Sequence, residues 1–112
     1  MSTIMVVDDE AIVRLLLKTI LENSNYVVLE AFDGPDALHI VYHHHIDLAI
    51  VDSDMPLMQG SELVRQIKVK RPNMPIIMIT ANPPANHGCD VLLVKPIKSA
   101  DILSAVNSLL AP

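Results

Sequence analysis

Two aspartates stand side by side at Asp8 and Asp9, Asp52 and Asp54 flank a serine, and a threonine (Thr80) and a lysine (Lys95) follow further along the chain. Carboxylates gathered in one place repel one another unless a positive charge sits among them, and an oxygen-lined cluster suits Mg²⁺, which binds through few carboxylates and keeps several waters. An ionised Asp is also a competent nucleophile towards phosphorus and yields an aspartyl phosphate. Catalysing that transfer is mostly charge neutralisation and positioning, which a metal, a lysine and a threonine hydroxyl would supply. Singly, each residue has a plainer reading: paired aspartates cap helices, a threonine after a strand sits in a turn, and a Lys-Pro pair marks a loop. The chemistry therefore depends on whether the fold brings them together.

The hydrophobic pattern says that it does. Ile4 to Val7, Leu48 to Val51, Ile76 to Ile79 and Val91 to Val94 are short apolar runs rich in branched residues, without polar alternation, as buried parallel strands read. Tyr26 to Leu29, between Asn25 and Glu30, reads as an edge strand. Helical patterns lie between the runs. Glu10 to Glu22 places Val13, Leu16, Leu17, Ile20 and Leu21 on one face, and Ser61 to Arg71 does the same with Leu63, Val64 and Ile67. Pro35 suits the first turn of a helix over Asp36 to His43, Pro72 closes the helix before it, and Ser99 is placed to cap a last helix carrying Ile102, Leu103, Val106, Leu109 and Leu110. Alternating strands and helices predict an α/β fold, a doubly wound parallel sheet with helices on both faces and its ligand site at the carboxyl ends of the strands. Asp8 and Asp9 follow the first run, Asp52 the third, Thr80 the fourth and Lys95 the last, so all converge on one edge.

With 112 residues, 51% of them apolar and 19% charged, the chain is sized for one self-sufficient domain over residues 1–112. No apolar run approaches the roughly eighteen residues needed to cross a bilayer, and no basic start precedes an apolar signal core. A cytoplasmic setting without membrane contact is the expectation. A net charge of −5 argues against direct nucleic-acid binding, and the single Cys89 forms no internal disulfide. Cys89 reads as a small buried residue without chemistry. His39, His43, His44 and His45 read as solvated or structural rather than metal-binding, because histidine near a helix C-terminus is favourable for dipole reasons alone. Met55, Met58, Met74 and Met78 read as loop packing and core filler.

The segments Val6-Val7-Asp8-Asp9-Glu10, Val51-Asp52-Ser53-Asp54-Met55-Pro56-Leu57-Met58-Gln59-Gly60, Ile79-Thr80-Ala81 and Val94-Lys95-Pro96 together resemble the motif set of the response-regulator receiver domain, across nearly the whole chain. The resemblance implies a five-stranded flavodoxin-like sheet of order 2-1-3-4-5. It implies Asp52 as phosphoacceptor, Asp9 as a direct Mg²⁺ ligand, Asp8 acting through metal-bound water, and the backbone carbonyl of Asp54 completing the protein's share of the metal shell. Thr80 and Lys95 would each meet a phosphoryl oxygen, the Lys95-Pro96 bond would be cis, and Gly60 would open the third helix at a tight backbone turn. Asp54 and Asn82 would flank the water that attacks the aspartyl phosphate. The implied function is a phosphorelay signalling receiver. It would take its phosphoryl group from a histidine kinase or histidine phosphotransfer domain, hydrolyse it slowly, have no metabolic substrate of its own, and exist as a monomer or weak dimer.

The sequence departs from that pattern twice. Only Ala81 to Asp90 separate Thr80 from the last strand. Ten extended residues span roughly 33 Å, enough to cross between neighbouring strands, but a helical crossover usually takes a dozen or more. The family's fourth helix should be missing or reduced to a turn. Leu92 stands where the family commonly carries a switching aromatic, so activation would be read out by other means, for example by ordering of the loop Asn82 to Gly88 around a phosphoryl group. Two other readings compete. A haloacid dehalogenase-type phosphatase shares the Asp52-Ser53-Asp54 spacing, but its nucleophile follows the first strand, and Asp8 and Asp9 would have no role. A pseudo-receiver would keep the fold as an interaction module without phosphorylation. The start at Met1 reads as a natural N-terminus, and the end at Ala111-Pro112 is compatible with a following output domain.

Overall fold

The computed structural model describes residues 1–85 and 87–111. Asn86 and Pro112, and to that extent the expectations for the Asn82 to Gly88 loop and the Ala111-Pro112 end, lie outside the described residues. The chain runs β1 (Thr3–Val7), α1 (Ala11–Glu22), β2 (Val27–Ala31), α2 (Gly34–His43), β3 (Leu48–Asp52), α3 (Gly60–Lys70), β4 (Ile76–Thr80), β5 (Val91–Val94) and α4 (Ser99–Leu110). The five strands form one sheet of order β2-β1-β3-β4-β5, every pair parallel. This is the flavodoxin-like arrangement expected.

Side chains alternate across the sheet and feed two cores. Met5, Val7, Ala49, Val51, Ile76 and Met78 face α2 and α3, whereas Ile4, Val6, Leu48, Ile50, Ile77 and Ile79 face α1 and α4. β3 and β4 are buried along their whole length, as unbroken apolar runs in the middle of a two-sided sheet must be. β5 lies at the sheet edge, as the order 2-1-3-4-5 implies, but its reading as a buried strand is corrected, with three residues half-buried and Val94 exposed. A run of four apolar residues reads alike at an edge and in the centre. Leu16 is a second correction, 47% exposed beside buried Leu17 and Leu21. A helix laid on a sheet buries a narrower stripe than five apolar positions in twelve residues suggest.

The helix ends follow local chemistry with two adjustments. Pro35 sits in the first turn of α2, and the cap is Asp33, whose carboxylate accepts from the Asp36 amide at 2.8 Å. Ser99 is already the first helical residue of α4. Its N-cap is Lys98, with no side-chain cap bond, so Ser99 does not cap. Gly60 opens α3 as expected. A Cβ there would run into the backbone carbonyl oxygen of Asp52 and come within 2.7 Å of the Ser53 Cα, and the Gly60 amide donates to the Ser53 carbonyl at 2.9 Å. Gly60→Ala should therefore push α3 off the end of β3 and cost about 1–3 kcal/mol, as overpacking does, measured by urea unfolding.

Among the described residues between β4 and β5 there is no helix, as the length of the segment predicted. Asp90 pins its far end. One carboxylate oxygen accepts from Lys68 Nζ at 2.8 Å and from the Ile76 amide at 2.7 Å, and Lys68 also donates to the Met74 carbonyl at 2.7 Å. Cys89 is half-buried rather than buried, its Sγ 3.0 Å from His87 Nδ1, and burial pushes its thiol pKa up. His39, His43, His44 and His45 are exposed. The His43 ring meets the His39 carbonyl and His45 meets Asp47, in keeping with the solvated or structural reading. Met55, Met74 and Met78 are buried and Met58 packs against them.

Candidate functional site

Parallel strands that start at one side of a sheet must end together at the other, and here the ends carry the polar residues. β1 delivers Asp8, Asp9 and Glu10, β3 ends on Asp52, β4 ends on Thr80 and β5 delivers Lys95. Asp8, Asp52 and Thr80 are buried at 2%, 4% and 0% exposure, while Asp9 is exposed. Carboxylate oxygens of Asp8, Asp9 and Glu10 lie within 4.8 Å of one another. Lys95 Nζ stands 3.4 Å from Asp52 Oδ1. The Lys95-Pro96 bond is cis, and the Lys95 amide donates to the Thr80 carbonyl at 2.8 Å, which ties the lysine to the end of β4.

Burial pushes the Asp8 carboxyl up from 3.8 to about 6, helped by the charges of Asp52 and Asp9 and opposed by the Glu10 amide and by Lys95. The Glu10 amide donates to Asp8 Oδ1 at 2.9 Å. Asp52 is raised as well, first by burial, with Lys95 pulling the other way. Burial opposes the charge on Lys95, but the Asp52 carboxylate outweighs it and the ammonium pKa is raised. The site thus holds two buried carboxylates that cannot both ionise comfortably with one lysine for company. That donor set, hard oxygens with excess negative charge, fits a divalent cation such as Mg²⁺.

Asp8, Asp9, Asp52 and Lys95 are brought together as expected. The Thr80 hydroxyl is at the same edge but is engaged elsewhere: its Oγ1 accepts from Ser53 Oγ at 2.7 Å and from the Asn82 amide at 3.0 Å. Asp54 is exposed, its carboxylate 3.4 Å from Ser53 Oγ. Sequence reasoning quoted Glu10 and Ser53 within motifs without giving either a place at the site. Glu10 was detectable as a third carboxylate next to the pair. The Ser53 contact needed the cross-strand register, in which Asp52 pairs with Ile79. Arg14 also approaches, its guanidinium donating to the Asp8 carbonyl at 2.7 Å and pairing with Glu30 at 3.2 Å.

No helix among the described residues is long and apolar enough to cross a membrane. The family model for the response regulator receiver domain matches residues 4–107. The chain is 40% identical over 116 residues to the transcriptional regulatory protein ResD of Bacillus subtilis, covering 97% of this chain and 48% of that protein. It is 41% identical over 108 residues to the sensor protein EvgS of Escherichia coli, covering 90% of this chain and 9% of that one. It thus spans about half the length, or less, of these curated relatives. Among solved structures, the response regulator TrrA of Thermotoga maritima, in complex with Mg²⁺ and BeF, superposes with a TM-score of 0.92 at 32% identity, covering 98% of this chain and 100% of that one. A CheY-like receiver domain protein of Methanospirillum hungatei also gives 0.92, at 29% identity, over 96% and 92%. With motifs, strand order and sequence in agreement, the chain belongs to the response regulator receiver domain family of two-component signalling proteins.

Proposed function

We propose that this domain accepts a phosphoryl group on Asp52 in a Mg²⁺-dependent reaction, from a phosphohistidine on a histidine kinase or histidine phosphotransfer domain, and that the change alters partner binding. The observation that carries this reading is the pairing of buried Asp52 with Lys95 at 3.4 Å beside the Asp8, Asp9 and Glu10 carboxylates. Mg²⁺, held by Asp8, Asp9, Asp52 and the backbone carbonyl of Asp54, would offset their repulsion and the charge of the incoming group. An Asp52 carboxylate oxygen attacks phosphorus, the bond from phosphorus to the donor nitrogen breaks, and the imidazole leaves with its electron pair. Lys95 then turns from the carboxylate to a phosphoryl oxygen, and the Thr80 hydroxyl donates to another. The same site lets water in slowly and returns Asp52. No second substrate is required, and a cytoplasmic setting suits such a donor. The complex that TrrA forms with Mg²⁺ and BeF supports the reading, as does the name of EvgS as a sensor protein.

The test is intact mass after incubation with acetyl phosphate, with Mg²⁺ or with EDTA, followed by borohydride trapping of the acyl phosphate. The expected result is one added phosphoryl group with Mg²⁺ alone, trapped at Asp52. A folded protein that gains nothing would instead be a pseudo-receiver.

The donor needs a landing surface beside the site. α1 starts immediately after Glu10 and exposes Ile12 at 78%, Leu15 at 62% and Leu16 at 47%, one apolar face at helical spacing. Leu15→Glu should slow phosphotransfer from a phosphohistidine-bearing domain by about tenfold or more, as loss of an apolar interface anchor does, while labelling by acetyl phosphate stays unchanged. Comparing the two initial rates checks this.

A further inference from the structure

Ser53 follows Asp52 at the end of β3 and is 5% exposed. Its hydroxyl donates to Thr80 Oγ1 at 2.7 Å, and the same oxygen accepts from the Asn82 amide at 3.0 Å. A hydroxyl oxygen offers two lone pairs and one proton. Both acceptor positions of Thr80 are therefore filled, and its place is fixed from two sides. Ser53 has a second acceptor within reach, Asp54 Oδ2 at 3.4 Å, too long for a strong bond in this arrangement. One proton cannot serve both at full strength.

We propose that Ser53 is a positioning residue: it holds Thr80 at rest, and it transfers its hydrogen bond to the Asp54 carboxylate when Thr80 turns to a phosphoryl group on Asp52. The inference rests on the phosphoacceptor reading above. Only hydrogen bonds exchange. The bond from Ser53 to Thr80 opens, the bond from Ser53 to Asp54 closes, and the Thr80 hydroxyl closes on a phosphoryl oxygen. A buried hydroxyl left without an acceptor is costly, and Asp54 removes that obstacle. In the structure Ser53 gives its short bond to Thr80 although Asp54 stands within reach, so Ser53 biases the site towards rest. Leu92, half-buried against the core, has no ring with which to follow Thr80. The hydroxyl pair gives the site a switch of its own.

The experiment is titration with beryllofluoride in the presence of Mg²⁺, followed through the Thr80 and Asn82 amide resonances, on the wild type, Ser53→Ala, Thr80→Ala and the double variant. Ser53→Ala removes one bond from each arrangement, the better one from rest, so it should bind beryllofluoride more tightly by a factor that stays below about tenfold, the upper span of one net hydrogen bond. Its Asn82 resonance should already be displaced before titration. In the Thr80→Ala background Ser53→Ala should change nothing, because the bond it removes is gone. Equal or weaker binding by Ser53→Ala, or the same gain with Thr80 absent, overturns the proposal. Wild type that fails to bind overturns the phosphoacceptor reading with it, whereas wild type that binds and an unchanged Ser53→Ala remove this inference alone.

Discussion

Asp52→Asn is expected to gain no mass from acetyl phosphate under conditions that label the wild type, while remaining folded. The amide has the shape of the carboxylate but lacks the anionic oxygen that attacks phosphorus, so the loss should be complete within the sensitivity of intact mass. Folding should not suffer. Burial raises the Asp52 pKa in the native state, so its ionised form is a burden on the fold and a neutral isostere relieves it. A companion variant separates charge from nucleophile. Lys95→Met keeps Asp52 but removes the ammonium 3.4 Å away, and the labelling rate should fall by about 10²–10³, the scale of losing one preorganised partner of developing charge. Labelling of Asp52→Asn at the wild-type rate would move the acceptor to another residue.

The second large effect is on stability and has a definite pH window. Asp8 holds its proton up to about 6 in the folded chain against an ordinary 3.8. A carboxyl that binds its proton more tightly folded than unfolded contributes its stability in full below about 3.8 and loses it as the pH rises through 6. Without a metal, the protein should therefore be less stable at pH 7.5 than at pH 5 by about 1–1.5 kcal/mol from this group, the remainder of a total of about 3 kcal/mol being lost already between pH 3.8 and pH 5. Asp8→Asn should remove that slope and be the more stable protein at pH 7.5 in EDTA, with the two converging at low pH. Because Asp8 and Asp52 repel each other, their titration is shared and the window will be broad. Mg²⁺ should close the gap by stabilising the wild type alone. Urea unfolding at the two pH values, with and without Mg²⁺, checks all of this. A wild type whose stability rises from pH 5 to 7.5 in EDTA would contradict it.

Most of the sheet and the placement of the site were legible because they rest on strong local signals. β3 and β4 are unbroken branched runs, and a parallel sheet leaves no choice about where the residues after them gather. The missing helix between β4 and β5 followed from counting ten residues. What the sequence hid is whatever depends on neighbours in space. β5 reads as buried, yet it has no strand beyond it and ends on exposed Val94. Leu16 has the hydropathy of a core residue but falls outside the stripe that the sheet covers. The Ser53 to Thr80 bond joins residues 27 apart, and nothing in either motif announces it before β3 and β4 are in register. Glu10 was overlooked for a different reason: the aspartate pair before it accounted for the charge without it.

The ten-residue crossing from β4 to β5 also bears on the order in which the sheet assembles. Closing a chain loop costs entropy that grows with its length, and long-range parallel pairing is intrinsically slow. β4 and β5 are joined by the shortest connection of any parallel pair in this sheet, and Asp90 ties the near end of β5 to the first residue of β4. This half of the domain is therefore suited to zip early. β1 and β3 are separated in the chain by α1, β2 and α2, so the pairing that brings the acidic β1 end beside the rest of the site closes a much longer loop.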